Sequence, residues 1–173
     1  MKLSEGGIIT LSKPEYGWAT LTIGDCTISE ISYIDPDVVY GILEWLRSFT
    51  FCEWKFPPGK KYYEDSVCEL DCEGLYAYLI KTNLNEIIVV REGINSLDPI
   101  VYFDYVPCDK VFNFIKSFID SVDENFVDWI DWELGEASEY ISIKQARENL
   151  STALDDMDTY IKACEEERLE GKK

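Results

Sequence analysis

Trp18-Ala19-Thr20-Leu21-Thr22-Ile23-Gly24-Asp25-Cys26-Thr27-Ile28-Ser29-Glu30-Ile31-Ser32-Tyr33-Ile34 is the stretch whose pattern settles how the chain begins to fold. Up to Ile23, apolar and polar residues nearly alternate, the period of two that lays one side of a strand on a core. Gly24-Asp25 is a two-residue turn signal, and the alternation resumes from Cys26 to Ile34. A connection that short joins only antiparallel neighbours, so the stretch predicts an antiparallel hairpin.

Asp35-Pro36 then predicts a helix start, with Asp35 as N-cap and Pro36 at the first helical position, where a missing N–H costs nothing. Val39, Ile42, Leu43, Leu46 and Phe49 supply its apolar stripe as far as about Phe49. From Phe51 to Val106 the pattern returns to strands. Phe51 to Phe56 alternates until Pro57-Pro58-Gly59 stops it, and Tyr63 to Asp71, Leu75 to Thr82, Glu86 to Arg91 and Ile100 to Val106 follow. Their loops are too short for parallel crossovers, which argues for an antiparallel meander.

The last third is helical. Val111, Phe112, Ile115, Phe118, Ile119, Val122, Phe126, Trp129 and Ile130 recur at threes and fours. A second stripe runs through Ile143, Ala146, Leu150, Ala153, Leu154, Met157, Ile161 and Cys164, with fraying expected from Glu165 onward. The small residues Ala146 and Ala153 favour packing of that helix on its own domain over a coiled-coil dimer. The predicted architecture is α+β: one domain over residues 1–173, sheet-rich at 8–106 and helical at 107–169. It has a twisted antiparallel sheet of about 6–7 strands, one early helix and two long C-terminal helices.

Composition narrows the chemistry. The 173 residues include 34 Asp+Glu against 16 Lys+Arg, a net charge of −18, with 46% hydrophobic residues to build a core. Such a surplus repels phosphate and argues against direct binding to nucleic acid or an anionic membrane surface. Histidine is absent, which removes Ser-His-Asp and Cys-His catalysis and every His-ligated metal site. Met1 to Gly7 lacks the basic-then-apolar pattern of a signal peptide, and apolar runs such as Ile87-Ile88-Val89-Val90 are far too short to span a bilayer. The expected location is the cytoplasm, with the six cysteines reduced.

Cys68 and Cys72 invite a metal reading, but Leu70 between them puts both thiols on one strand face toward a core, and no second close cysteine pair completes four ligands. Glu69 and Asp71 occupy the opposite, solvated face of that strand. No metal, no cofactor and no catalytic residue is expected.

The informative feature is a run of charge. Between Lys116 and Lys144 stand eight acids and no base: Asp120, Asp123, Glu124, Asp128, Asp131, Glu133, Glu136 and Glu139. On one continuous helix Asp120, Glu124, Asp128 and Asp131 lie opposite the apolar stripe. Like charges four residues apart oppose a helix by a few tenths of a kcal/mol per pair, a cost that a cationic partner would offset. Trp132 falls about a right angle from the core direction, where an aromatic rimmed by carboxylates has the composition of a protein-binding hot spot. The partner-binding residues expected are Asp120, Asp123, Glu124, Asp128, Asp131, Trp132, Glu133 and Glu136.

The segment Thr20-Leu21-Thr22-Ile23-Gly24-Asp25 through Ile31-Ser32-Tyr33-Ile34-Asp35-Pro36 into Val38-Val39-Tyr40-Gly41-Ile42-Leu43 resembles the opening of small bacterial immunity proteins of polymorphic or contact-dependent toxin systems. The likeness covers about a quarter of the chain: a strand, Ser-Tyr-x-x-x-Pro, then an amphipathic helix. It implies a small, acidic, non-catalytic cytosolic protein that covers a toxin's active site, and it assigns no binding residue. The function expected is therefore an acidic inhibitor, monomer or homodimer, that docks a basic toxin such as a nuclease. A phage-type DNA mimic and a carboxylate-only hydrolase are the alternatives.

Overall fold

The computed structural model describes residues 1–32, 38–50, 66–72, 74–82, 85–92, 100–137 and 143–170. Its strands are β1 (Ile9–Leu11), β2 (Trp18–Ile23), β3 (Cys26–Ser32), β4 (Ser66–Asp71), β5 (Tyr76–Lys81), β6 (Glu86–Arg91) and β7 (Ile100–Tyr105). Its α-helices are α1 (Val38–Arg47), α2 (Val111–Asp123), α3 (Phe126–Ala137) and α4 (Ile143–Glu170). The class is α+β with antiparallel pairing throughout. The strands form two sheets rather than one, ordered β1-β2-β3 and β4-β5-β6-β7. Local alternation specifies that a segment is a strand; which edge it joins is set by distant contacts.

The hairpin forms as its alternation predicts. Ile23 pairs with Cys26 across the turn, and Gly24 takes φ +58°, the left-handed value that a tight hairpin asks of its first turn residue. Leu11, Leu21 and Ile28 share one inward row, while Thr10, Thr22 and Thr27 share an outward one. Between Ala19 and Leu21 the register slips by one residue, and Glu30 takes φ +65° there, a bulge that twists the strand. β1, three residues long, had no predicted counterpart.

Both sheets turn their inner faces to one core. Ile9, Leu21, Ile23, Ile28 and Ile31 from the first meet Cys68, Leu70, Ala77, Leu79, Ile87 and Val89 from the second, with Trp45, Phe49, Phe114 and Phe118 from the helical side. Cys68, Leu70 and Cys72 do face inward together. The Asp35 cap, the predicted strand Phe51 to Phe56 and the residues Tyr63 to Asp65 lie outside the described residues.

The helical third departs from the two long helices expected. The first of them breaks in two at Glu124-Asn125, and the second is helical from Ile143 to Glu170. Asn125 makes the break: its amide Nδ2 donates to the Ser121 carbonyl (2.9 Å), its N–H to Val122 O (3.1 Å), and its own carbonyl accepts from Trp129 N–H (3.1 Å). One residue thus ends α2 and opens α3, the competition with regular helix that short amide side chains provide. Met157 and Ile161 of α4 are buried, in accord with packing on its own domain.

Candidate functional site

α2 is held by its inner side to the edge of the first sheet. An edge strand leaves every second N–H unpaired, and here two serines meet them. The Ser117 hydroxyl accepts Ile9 N–H (3.1 Å), and the Ser121 hydroxyl accepts Leu11 N–H (3.0 Å). Around these serines Phe114, Ile115, Phe118 and Val122 of α2 are buried. Asp120 and Asp123 are consequently left on the solvent side, Glu124 sits in the break, and Asp128 and Asp131 lead outward from α3; all five are exposed.

The continuous ridge expected from one helix needs two corrections. The step from Glu124 to Asp128 crosses the helix break, so the like-charge ladder is not a single i,i+4 series. Asp120 is moreover neutralised by its own chain: Lys116 Nζ lies 3.0 Å from it and 3.9 Å from Asp158 on α4. That hydrogen bond to Asp120 is the first reason why the Lys116 ammonium is held above its ordinary pKa. Lys13, raised chiefly by its hydrogen bond to Glu15, also feels Asp128, but its ion pair is with Glu15 (2.8 Å). Asp123, Glu124, Asp128 and Asp131 form no ion pair among the described residues. The side chains of Trp132, Glu133 and Glu136 lie outside the described residues, although their backbone belongs to α3. Val127, 59% exposed, stands four residues before Asp131 on α3, an apolar neighbour on the acidic face.

Among the described residues Asp104 is the buried carboxylate. Burial pushes its pKa up, but N–H donors from Tyr105 (2.8 Å) and Leu3 (2.7 Å), with the hydroxyls of Ser4 and Tyr102, outweigh burial and hold it below the ordinary value. Leu3 is 101 residues away in sequence, so this group ties the N-terminal 3-10 turn, Leu3–Glu5, to β7. Its role is an anchor.

A second surface escaped the sequence reading. In the four-stranded sheet Val67, Ile80, Ile88 and Phe103 form one cross-strand row on the outer face, and Glu69, Tyr78, Val90 and Val101 form the next. Val67, Val101, Phe103 and Tyr105 are exposed at 56, 58, 60 and 48%. An antiparallel sheet with one wet side normally alternates apolar-in and polar-out; this one is apolar on both. The signal was present in the unbroken runs Ile87-Ile88-Val89-Val90 and Ile100-Val101-Tyr102-Phe103, which are the mark of strands covered on both faces.

Comparison with protein-family models, with curated proteins and with solved structures found no match.

Proposed function

We propose that this chain is a non-catalytic acidic binding protein, of the immunity or inhibitor kind, that covers a groove on a basic partner such as a nuclease toxin. The supporting observation is the outer side of α2 and α3, where exposed Asp123, Glu124, Asp128 and Asp131 form no ion pair among the described residues. They stand on α2 and α3 and at the break between them, fixed from behind by buried Phe118, Val122, Trp129 and Ile130. Carboxylates held in place before encounter raise the association rate with a cationic groove and occupy the positions its phosphate ligand would take. Val127 offers an apolar contact beside Asp131.

The test is capture from lysate of the source cells by the immobilised chain, beside Asp123→Lys/Glu124→Lys/Asp128→Lys/Asp131→Lys. The expected result is a basic protein held by the unmodified chain, released by salt of about 0.5 M, where screening reaches only a few ångströms, and not held by the variant. Capture of acidic or neutral proteins alone, or capture indifferent to the four reversals, refutes the proposal.

A further inference from the structure

The outer face of the four-stranded sheet has a layout of its own. At one end Glu86 faces Tyr105 across the β6–β7 pair, with the Thr82 hydroxyl donating to Glu86 at 2.8 Å. The middle is the row Val67–Ile80–Ile88–Phe103 and, beside it, Tyr78–Val90–Val101 with Glu69 on the β4 edge. At the far end Asp71 pairs with Tyr76, and the Tyr76 N–H reaches the Glu92 carboxylate at 3.3 Å. The Tyr76 and Tyr78 rings lie 6.3 Å apart. Tyr78's phenol is pushed up by desolvation first and then by Glu69 and Glu92, which places both acids around it.

The face is thus an apolar belt closed at both ends by carboxylates. The two cations of these strands point away from it: Lys81 is buried on the inner side, and Arg91 reaches Glu30 of the first sheet at 3.3 Å. At ~3.4 Å per residue and ~4.8 Å per strand the face measures about 20 by 14 Å from the Glu86 row to the Glu92 row, carboxylate ends included. It is large enough to hold a helix of about 13 residues.

We infer that this face is a docking surface for an amphipathic helix of a partner protein, apolar toward the belt and carrying Lys or Arg at the ends that meet Glu86 and the group Glu69, Asp71 and Glu92. Three observations select that occupant. A sheet apolar on both sides calls for a layer on each, and its inner side already has one, with α1 packed on β4. Among the described residues the charge on the outer face is of one sign, which calls for a cationic rim opposite. A second copy of this chain is disfavoured by the same charge, since face-to-face pairing would set these acids against themselves in two molecules of net charge −18 each. The inference does not rest on α2 and α3; it stands whether or not their acidic face binds.

The probe is a synthetic 14-residue peptide with Leu at i, i+3, i+4 spacing and Lys elsewhere, beside a counterpart with Glu for every Lys. Both are titrated into the full chain, with affinity read by fluorescence anisotropy and position by NMR of the isoleucine and valine methyls. The expected result is saturable binding of the Lys peptide and little of the Glu peptide, with shifts at Ile80, Ile88, Val90 and Val101. Val101→Thr/Phe103→Thr weakens it at least tenfold. Glu69→Lys/Glu86→Lys, which leaves the belt intact, weakens it several-fold, with far-UV circular dichroism unchanged in both variants.

Four results overturn the inference. Shifts confined to α2 and α3 would assign the peptide to the other acidic surface. Equal affinity for the two peptides would remove the cationic rim. A dimer in sedimentation equilibrium that Val101→Thr/Phe103→Thr dissociates would make a second copy the occupant. Absence of binding with these methyls shielded from solvent in the free chain would show the belt already covered.

Discussion

The two sheets share one construction and differ on one side. Inward, both are aliphatic: Leu11, Leu21 and Ile28 in the first, Leu70, Ala77, Leu79, Ile87 and Val89 in the second. Outward, the first presents Thr10, Thr22 and Thr27 in a row, the second Val67, Ile80, Ile88 and Phe103. Threonine and valine have nearly the same shape and similar strand preference, so backbone geometry does not dictate the contrast. The difference lies in what each face meets: threonine hydroxyls suit water, whereas a large exposed apolar patch marks an interaction site.

The sharpest contrast is expected between the sides of the second sheet. Leu79, 0% exposed, packs in the shared core, whereas Phe103 is 60% exposed. Leu79→Ala removes a filled volume that its neighbours cannot fully reclaim, at a cost of about 3 kcal/mol. Phe103→Thr removes a larger side chain yet shifts stability by less than about 0.5 kcal/mol. Urea denaturation of both variants reads the pair. A large loss from Phe103→Thr would mean that the outer face is already packed within the free chain.

Next in size is the anchor between the N-terminal turn and the second sheet. The Asp104 pKa is lowered in the folded protein. Its stabilisation is therefore present above the unfolded carboxyl pKa of about 3.9 and is lost as pH falls through the lower folded value. Asp104→Ala leaves the Leu3 N–H without its acceptor and is expected to cost about 2–3 kcal/mol at neutral pH. Its stability profile should flatten below about pH 4 relative to the unmodified chain, measured by denaturation across pH. An unchanged acid limb would remove the carboxylate from this role.

The first sheet has its own fastening. Ser121→Ala deprives the Leu11 N–H of the hydroxyl that accepts it on the covered side of β1, at an expected cost of about 1–2 kcal/mol. Hydrogen exchange at Leu11 should quicken while exchange in β5 and β6 stays as it was. Equal acceleration in both sheets would show that they open as one unit.

These contrasts also explain what could be read from sequence. The hairpin was legible because Leu21, Ile23 and Ile28 alternate with polar residues, and a one-residue slip would expose them. The separation into two sheets was not, because β3 and β4 carry the same local pattern whether or not they pair. The helix break at Asn125 was hidden by apolar residues that kept recurring at threes and fours through Phe126, Trp129 and Ile130. The acid run was plain, and the i,i+4 spacing of Lys116 and Asp120, which neutralises one of its members, was open to the same reading; the approach of Lys116 to Asp158 on another helix was not, because it depends on how the helices pack. The apolar outer face was written openly in Ile87 to Val90, yet a continuous run does not reveal which of its sides lacks a cover.

The smallest change in stability, and the most direct test of the contrast, comes from exchanging the two outer rows. Thr10→Val/Thr22→Val/Thr27→Val converts the first sheet's outward row to the character of the second. Both residues favour strands, and the lost hydroxyl contacts of Thr–Thr pairs are offset by side-chain packing, so stability should move by less than about 0.5 kcal/mol. Val101→Thr/Phe103→Thr makes the opposite conversion at similarly small cost. Fluorescence of an apolar dye separates them: emission should rise for the threonine-to-valine variant and fall for the valine- and phenylalanine-to-threonine one, at nearly constant unfolding midpoint. If both variants leave emission unchanged, the apolar row is not open to a ligand in the free chain. If emission moves as expected, the two sheets differ in what they are built to touch, since one set of core contacts holds both.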